Sequence, residues 1–222
     1  MDLSGIKVMS LAADEAMMKI HDLMQEGGSR VLTLLSHKMI LSGIEEARYL
    51  EFLNQSDMVL LCDESVSALI NTPELPQEQI LRLGPTLEEL AGILEEEQKK
   101  VLLLSQQQQT ADRLRSYLRQ MDSSLEFADN IVIEDFEADS PDRLMNEINA
   151  SGADVLFIIG DLRLQYWLLG EERQAMFSGQ LCVLGDTDLA LGTGRIKKPS
   201  LIRTLFEKSK IKRMTVAPDE EM

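Results

Sequence analysis

Apolar and polar positions along this chain repeat with two different periods. Short continuous apolar runs recur at Arg30–Leu35, Asp57–Leu61, Val101–Leu104, Asn130–Glu134, Asp154–Ile159 and Gln180–Leu184. They are rich in Val, Ile and Leu and lack the polar alternation of a half-exposed strand, which predicts strands covered on both faces, as in a parallel sheet. Between the runs the period lengthens. From Ala12 to Gln25, Ala16, Met17, Ile20, Leu23 and Met24 fall at helical spacing, and Gly27-Gly28 offers a stop. Over Thr86–Gln98, Leu87, Leu90, Ala91 and Leu94 form one face, and Thr86 with Glu89 reads as a capping box. Ser140-Pro141-Asp142 opens a further helix, with Pro141 at its first position and Leu144 and Ile148 as its apolar face, and Ser151-Gly152 turns back. Gln106–Gln109 reads as the start of a solvated helix, and Asn71-Thr72-Pro73 and Leu75-Pro76 as loop. This alternation predicts an α/β fold: a single Rossmann-like domain with a mostly parallel sheet covered by helices on both faces. Any chemistry should then sit in a crevice at the carboxyl ends of the strands.

At 222 residues and 44% hydrophobic content the chain can bury one continuous core. It contains no run of apolar residues long enough to span a bilayer and no basic-then-apolar start, so a cytoplasmic protein is expected. Cys62 and Cys182 each lie in an apolar run far from the other, which gives a disulfide framework or a structural zinc site no support. The net charge of -16 argues against nucleic acid, because a phosphate backbone would be repelled. The charge is uneven, however. Arg195, Lys197, Lys198, Arg203, Lys208, Lys210, Lys212 and Arg213 stand against Glu207 alone, a basic tail on an acidic body.

Candidate chemistry lies where apolar runs end. Gly160-Asp161 and Gly185-Asp186 are glycine-bearing turns that could touch a ligand or serve the turn geometry alone. After Leu104 the chain reads Ser105-Gln106-Gln107, a poor cradle for phosphate. Asp186-Thr187-Asp188 has the spacing of metal-holding carboxylates, but capping or solvated aspartates are the commoner meaning of so short a pattern. His37 follows a strand end and has the position of a general base, whereas His21 reads as a partly buried helix residue. Asp63 or Glu64 after Cys62 could act as a base, or could favour a helix N-terminus. Gln165 could bind a sugar or uracil through its amide, and Trp167 reads as core packing.

Taken together and in this order, these segments resemble the WecG/TagA/CpsF family of glycosyltransferases, nearly to Pro199. Residues 149 to 160, Asn-Ala-Ser-Gly-Ala-Asp-Val-Leu-Phe-Ile-Ile-Gly, are similar to the strand that leads into the family's G-x-P-K-Q-E-x-W block, which here reads Gly160-Asp161-Leu162-Arg163-Leu164-Gln165-Tyr166-Trp167. Residues 183 to 199 are similar to its G-G-x-F-D-F-x-x-G-x-x-x-R-A-P, with Asp188, Gly192 and Pro199 as landmarks. Ser56-Asp57-Met58-Val59-Leu60 looks like its A-D-l-V-l, and Arg82 with Gly84 like its R-v-x-G. Departures fall near the crevice. Direct register puts Cys62 at the family's proposed base, and Asp63 matches if the turn gains one residue. Ser36 stands for the amide of T-x-N, and the glycine-rich turn is Ser105-Gln106-Gln107.

The resemblance implies transfer of an N-acetylmannosamine-type sugar from a UDP donor to a lipid-linked acceptor in cell-surface polysaccharide synthesis, with no metal and no cofactor. It implies Asp63 as catalytic base, and Ser36, His37, Arg82, Gly160, Arg163, Gln165, Gly185 and Asp188 around the substrate. The domain is expected over 1–199 and a basic amphipathic appendage over 200–222. Leu201, Ile202, Leu205 and Phe206 share a helical face beside Arg203, Lys208, Lys210 and Lys212, a layout suited to peripheral contact with an anionic inner membrane face. The alternative for this tail is a helix docked on its own domain or on a second subunit of a homo-oligomer. The alternative for the whole chain is a catalytically degenerate relative that acts as a nucleotide-sugar-binding or protein-interaction module.

Overall fold

Each predicted strand forms, and the alternation of side chains along it divides the core in two. The computed structural model describes residues 1–26, 28–62, 81–136, 139–170, 180–187 and 189. In chain order its elements are β1 (Asp2–Leu3), β2 (Ile6–Lys7), α1 (Ala13–Gln25), β3 (Arg30–Leu35), α2 (His37–Glu45), α3 (Ala47–Asn54), β4 (Met58–Leu61), α4 (Leu83–Glu96), β5 (Val101–Ser105), α5 (Gln108–Met121), β6 (Ile131–Val132), α6 (Pro141–Ala150), β7 (Val155–Ile159), α7 (Leu162–Leu169) and β8 (Leu181–Gly185). Six strands make one sheet in the order β4-β3-β8-β7-β5-β6, and every neighbouring pair is parallel. Leu32, Leu34, Leu60, Leu103, Phe157 and Val183 point to one side, against α1, α4 and α5. Val31, Leu35, Leu61, Leu104, Ile158 and Leu184 point to the other, against α2, α3, α6 and α7. Both faces are therefore dry, which is why the strands read as continuous apolar runs.

Four local features differ from the sequence expectation. First, α4 begins at Leu83, ahead of Thr86, and has no capping box: its N-cap is Arg82, without a side-chain bond. Thr86 is buried inside the first turns, its amide on the Arg82 carbonyl at 3.0 Å. Pro85 is tolerated because the third helical residue has no N–H to satisfy within the helix. Second, β6 is only two residues long, Ile131–Val132. Third, His21 is exposed and lies 3.0 Å from Glu97 Oε1. Fourth, the chain starts with a hairpin. Ser4 (φ 55°) and Gly5 (φ 92°) both adopt positive φ, the requirement of a two-residue hairpin loop, and the Ser-Gly pair was its signal. This hairpin docks through Lys7 N–H on Asn54 Oδ1 and Asn54 Nδ2 on the Gly5 carbonyl, each 2.8 Å. Met9 N–H then meets the Val59 carbonyl at 2.9 Å, capping part of the open edge of β4.

Two aspartates pin the sheet from its amino end. Asp57 Oδ2 accepts the Val31 N–H at 2.7 Å, and Asp154 Oδ2 accepts the Lys100 N–H at 2.8 Å. Each precedes a strand and holds the start of its neighbour, so the aspartate of each apolar run sets register rather than serving chemistry.

Candidate functional site

At the carboxyl edge, the turns after β4, β3, β8, β7 and β5 follow in that spatial order: Cys62, Ser36, Asp186, Gly160-Asp161 and Gln106. Helices α2, α5 and α7 all begin here, directing their positive ends and free amide groups to one surface. Ser36 is the N-cap of α2, its Oγ accepting from Met39 N at 3.4 Å. Asp161 caps α7 in the same way, on Leu164 N at 2.9 Å. α5 has Gln107 at its N-cap and no side-chain bond.

Side chains stitch adjacent strand ends along this edge. The Ser36 hydroxyl donates to Asp186 Oδ2, joining β3 to β8. Gln165 joins β8 to β7: it is fully buried, and its Nε2 donates to the carbonyls of Gly160 at 3.1 Å and Gly185 at 3.0 Å. Both amide hydrogens are thereby used, while Gln165 Oε1 is buried without a hydrogen-bond partner among the described residues. Gln106 joins β7 to β5, its Oε1 accepting the Asp161 N–H at 3.3 Å.

Gly160 and Gly185 serve space rather than φ. Positive-φ glycines among the described residues are Gly5, Gly28 and Gly152. A Cβ on Gly160 would lie 2.7 Å from Leu164 Cδ2 and 3.0 Å from Gln106 Oε1, and one on Gly185 would lie 2.5 Å from Leu189 Cδ1. Leu164 of α7 and Leu189 therefore pack directly onto bare backbone.

Of the other sequence candidates, His37 is the first residue of α2 and half-buried. Arg82 is exposed and belongs to the same edge, because the Leu81 N–H donates to the Leu61 carbonyl at 2.9 Å and returns the chain to the end of β4. Arg163 lies on the exposed side of α7, its guanidinium 5.9 Å from the Phe136 ring centre. Trp167 packs on Phe136 at 5.5 Å. Asp63 and Asp188 fall outside the described residues, as do Glu64, the prolines at 73 and 76 and the basic tail. Ser36, His37, Arg82, Gly160, Gln165 and Gly185 thus share one edge, and Arg163 stands apart on the flank of α7. The sequence reading missed Asp186 as a partner of Ser36 and Gln106 as a neighbour of Gly160; no local pattern announces either contact. A recess at the opposite end, bounded by Gly28, Lys99, Asp154, Gln180 and Leu181, has room for one water and is too small for a substrate.

The sequence model of the glycosyl transferase WecG/TagA/CpsF family matches residues 1–185. The chain belongs to this family. No curated protein matches it. Membership puts the WecG/TagA/CpsF domain described above among the glycosyl transferases of cell-surface polysaccharide synthesis. The match ends at Gly185, the last residue of β8, so it spans the whole sheet and the edge from Ser36 to Gln165. The later landmarks Asp188, Gly192 and Pro199 lie beyond it. No helix among the described residues is long and apolar enough to cross a membrane.

Proposed function

We propose that this WecG/TagA/CpsF protein transfers an N-acetylmannosamine-type sugar from a UDP donor to a lipid-linked acceptor, with the donor seated on the carboxyl edge of the sheet. The observation that carries this reading is the family match over the entire sheet, including the edge where helices α2, α4, α5 and α7 begin. In the proposed step Asp63 takes the proton of the acceptor hydroxyl, and the acceptor oxygen bonds to the anomeric carbon. The bond from that carbon to the diphosphate oxygen breaks, and UDP leaves with the electron pair. Arg82, at the end of β4, offsets the charge that develops on the diphosphate. His37, Ser36, Gly160, Gly185 and Asp188 line the sugar and nucleotide, and Arg163 sits at the rim. Gln165 acts mainly by holding Gly160 and Gly185 in place, since only its Oε1 is left for a ligand. The domain runs to about residue 199, and residues 200–222 rest on the anionic inner membrane face, the alternative being a helix docked on its own domain or on a second copy of the chain. Calorimetry with UDP tests the donor site, and Asp63→Asn tests the base. Turnover should fall by at least about a hundredfold with UDP affinity retained; unchanged turnover would remove Asp63 from its role.

A second reading, a catalytically degenerate relative that binds a nucleotide sugar or a protein, is favoured by the polar stitching itself. Gln106 and Gln165 fill positions on the edge with the chain's own hydrogen bonds. UDP binding without any turnover selects the nucleotide-sugar-binding form, and no UDP binding at millimolar concentration selects the protein-binding form.

A further inference from the structure

The connections diverge between β7 and β5. From β7 the chain passes through α7 to β8 on one side, and from β5 through α5 to β6 on the other. Such a switch point opens a crevice above the strand ends, the usual seat of a ligand in this architecture. Here a side chain lies across it. Gln106 Oε1 accepts the Asp161 N–H at 3.3 Å and would sit 3.0 Å from a Cβ on Gly160, so the bare face of that glycine is covered by an amide oxygen. Three residues on, the Leu164 N–H is taken by Asp161 Oδ1 at 2.9 Å. The Asp161 and Leu164 N–H groups at the start of α7 are thus satisfied by acceptors from within the chain, one of them anionic. Beneath the same turn lies the fully buried Gln165, whose Oε1 has no partner among the described residues. Two of the amides that a bound anion would use at this turn are therefore already engaged by the protein's own groups.

We propose that Gln106 is a built-in competitor of the donor phosphates: its amide oxygen takes the Asp161 N–H at the switch point and thereby sets a low affinity for nucleoside diphosphates. The proposal rests on the reading of this edge as a nucleotide-sugar site. The competing acceptor is neutral and held by a long bond, so a phosphate oxygen, which forms a stronger charge-assisted bond, displaces it at a cost in affinity. The Asp161 carboxylate adds repulsion within a Debye length.

Calorimetry with UDP and with inorganic pyrophosphate should compare the full-length wild type with Gln106→Ala, Gln106→Glu and Asp161→Asn, the last preserving the cap. Gln106→Ala should bind UDP about fivefold more tightly, the equivalent of the one neutral hydrogen bond that the phosphate no longer has to displace. Gln106→Glu should bind it at least about tenfold more weakly, because a carboxylate locks the same N–H and repels phosphate. Asp161→Asn should gain about threefold by losing a like charge. A purely structural role would make both Gln106 variants weaker or leave both unchanged, and either result overturns the proposal. If wild type and Gln106→Ala bind UDP equally, the competitor idea falls and the nucleotide site stands. If none of the proteins binds UDP at millimolar concentration, the nucleotide reading falls and the competitor with it. Should Gln106→Ala fail to fold, Gln106→Ser supplies the same comparison.

Discussion

Gln165 carries two kinds of information in one side chain. Its place in the block from Gly160 to Trp167 suggested a contact with sugar or uracil, yet its two amide hydrogens meet main-chain carbonyls at the ends of β7 and β8. A buried carbonyl that loses its donor costs about 1–3 kcal/mol, and the Gly185 carbonyl keeps a second donor, the Gly160 N–H at 3.1 Å. Gln165→Leu should therefore destabilise the domain by about 2 kcal/mol, measured by urea denaturation; stability equal to wild type would mean the clamp is not needed. Gly160 and Gly185 illustrate the same scale. Their value as landmarks was readable, but the reason for them was not, because it lies in Leu164, Gln106 and Leu189 side chains that close over them.

At the scale of elements, the helical faces and apolar runs were legible because their periods are local. The start of α4 was misread for an equally physical reason. A threonine followed by glutamate suits a cap, but the chain is held to the end of β4 by Leu81, which starts the helix at Leu83 and draws Thr86 into the core. The junction of α1 with α4 shows a second contact between distant elements. Glu97, at the C-cap of α4, accepts from Gln25 Nε2 at 2.7 Å and lies 3.0 Å from His21 Nε2. The hydrogen bond from His21 first, and then that from Gln25, hold the Glu97 carboxyl below its ordinary value despite the opposing effect of desolvation. A lowered folded-state value means that the ionised form stabilises the fold above the ordinary glutamate range and that this contribution is lost as pH falls through the folded value. The pair is solvent-facing, so its worth is under about 1 kcal/mol. Glu97→Gln should lower the melting temperature slightly at pH 7, and the difference from wild type should vanish as the solution is acidified below the ordinary carboxyl range. A difference that grows on acidification would contradict the assignment.

Across the whole molecule, the contrast between an acidic body and a basic tail was plain in the composition. It supports the proposed peripheral attachment, in which each lysine near an anionic surface would contribute about 1 kcal/mol and salt would remove the gain. Full-length protein should float with vesicles rich in anionic phospholipid, and Lys208→Gln, Lys210→Gln and Lys212→Gln together should release it. Flotation that ignores both salt and these substitutions would favour the tail docking on protein instead. The architecture itself was legible from the six runs and the helical intervals. The order of strands was not, since nothing in the runs at Val155 and Leu181 says that β8 enters between β3 and β7.

What the sequence determined alone is the set of elements, their burial on both faces and the family motifs, because each depends on residues a few positions apart, within one helical turn or one strand. What only the tertiary structure decided is the makeup of the edge. Ser36 meets Asp186 across 150 positions and Gln106 meets Asp161 across 55. Those contacts exist because parallel strands, connected through helices, bring all their carboxyl ends to one side, and a hydrogen bond of about 3 Å depends on that arrangement rather than on distance along the chain.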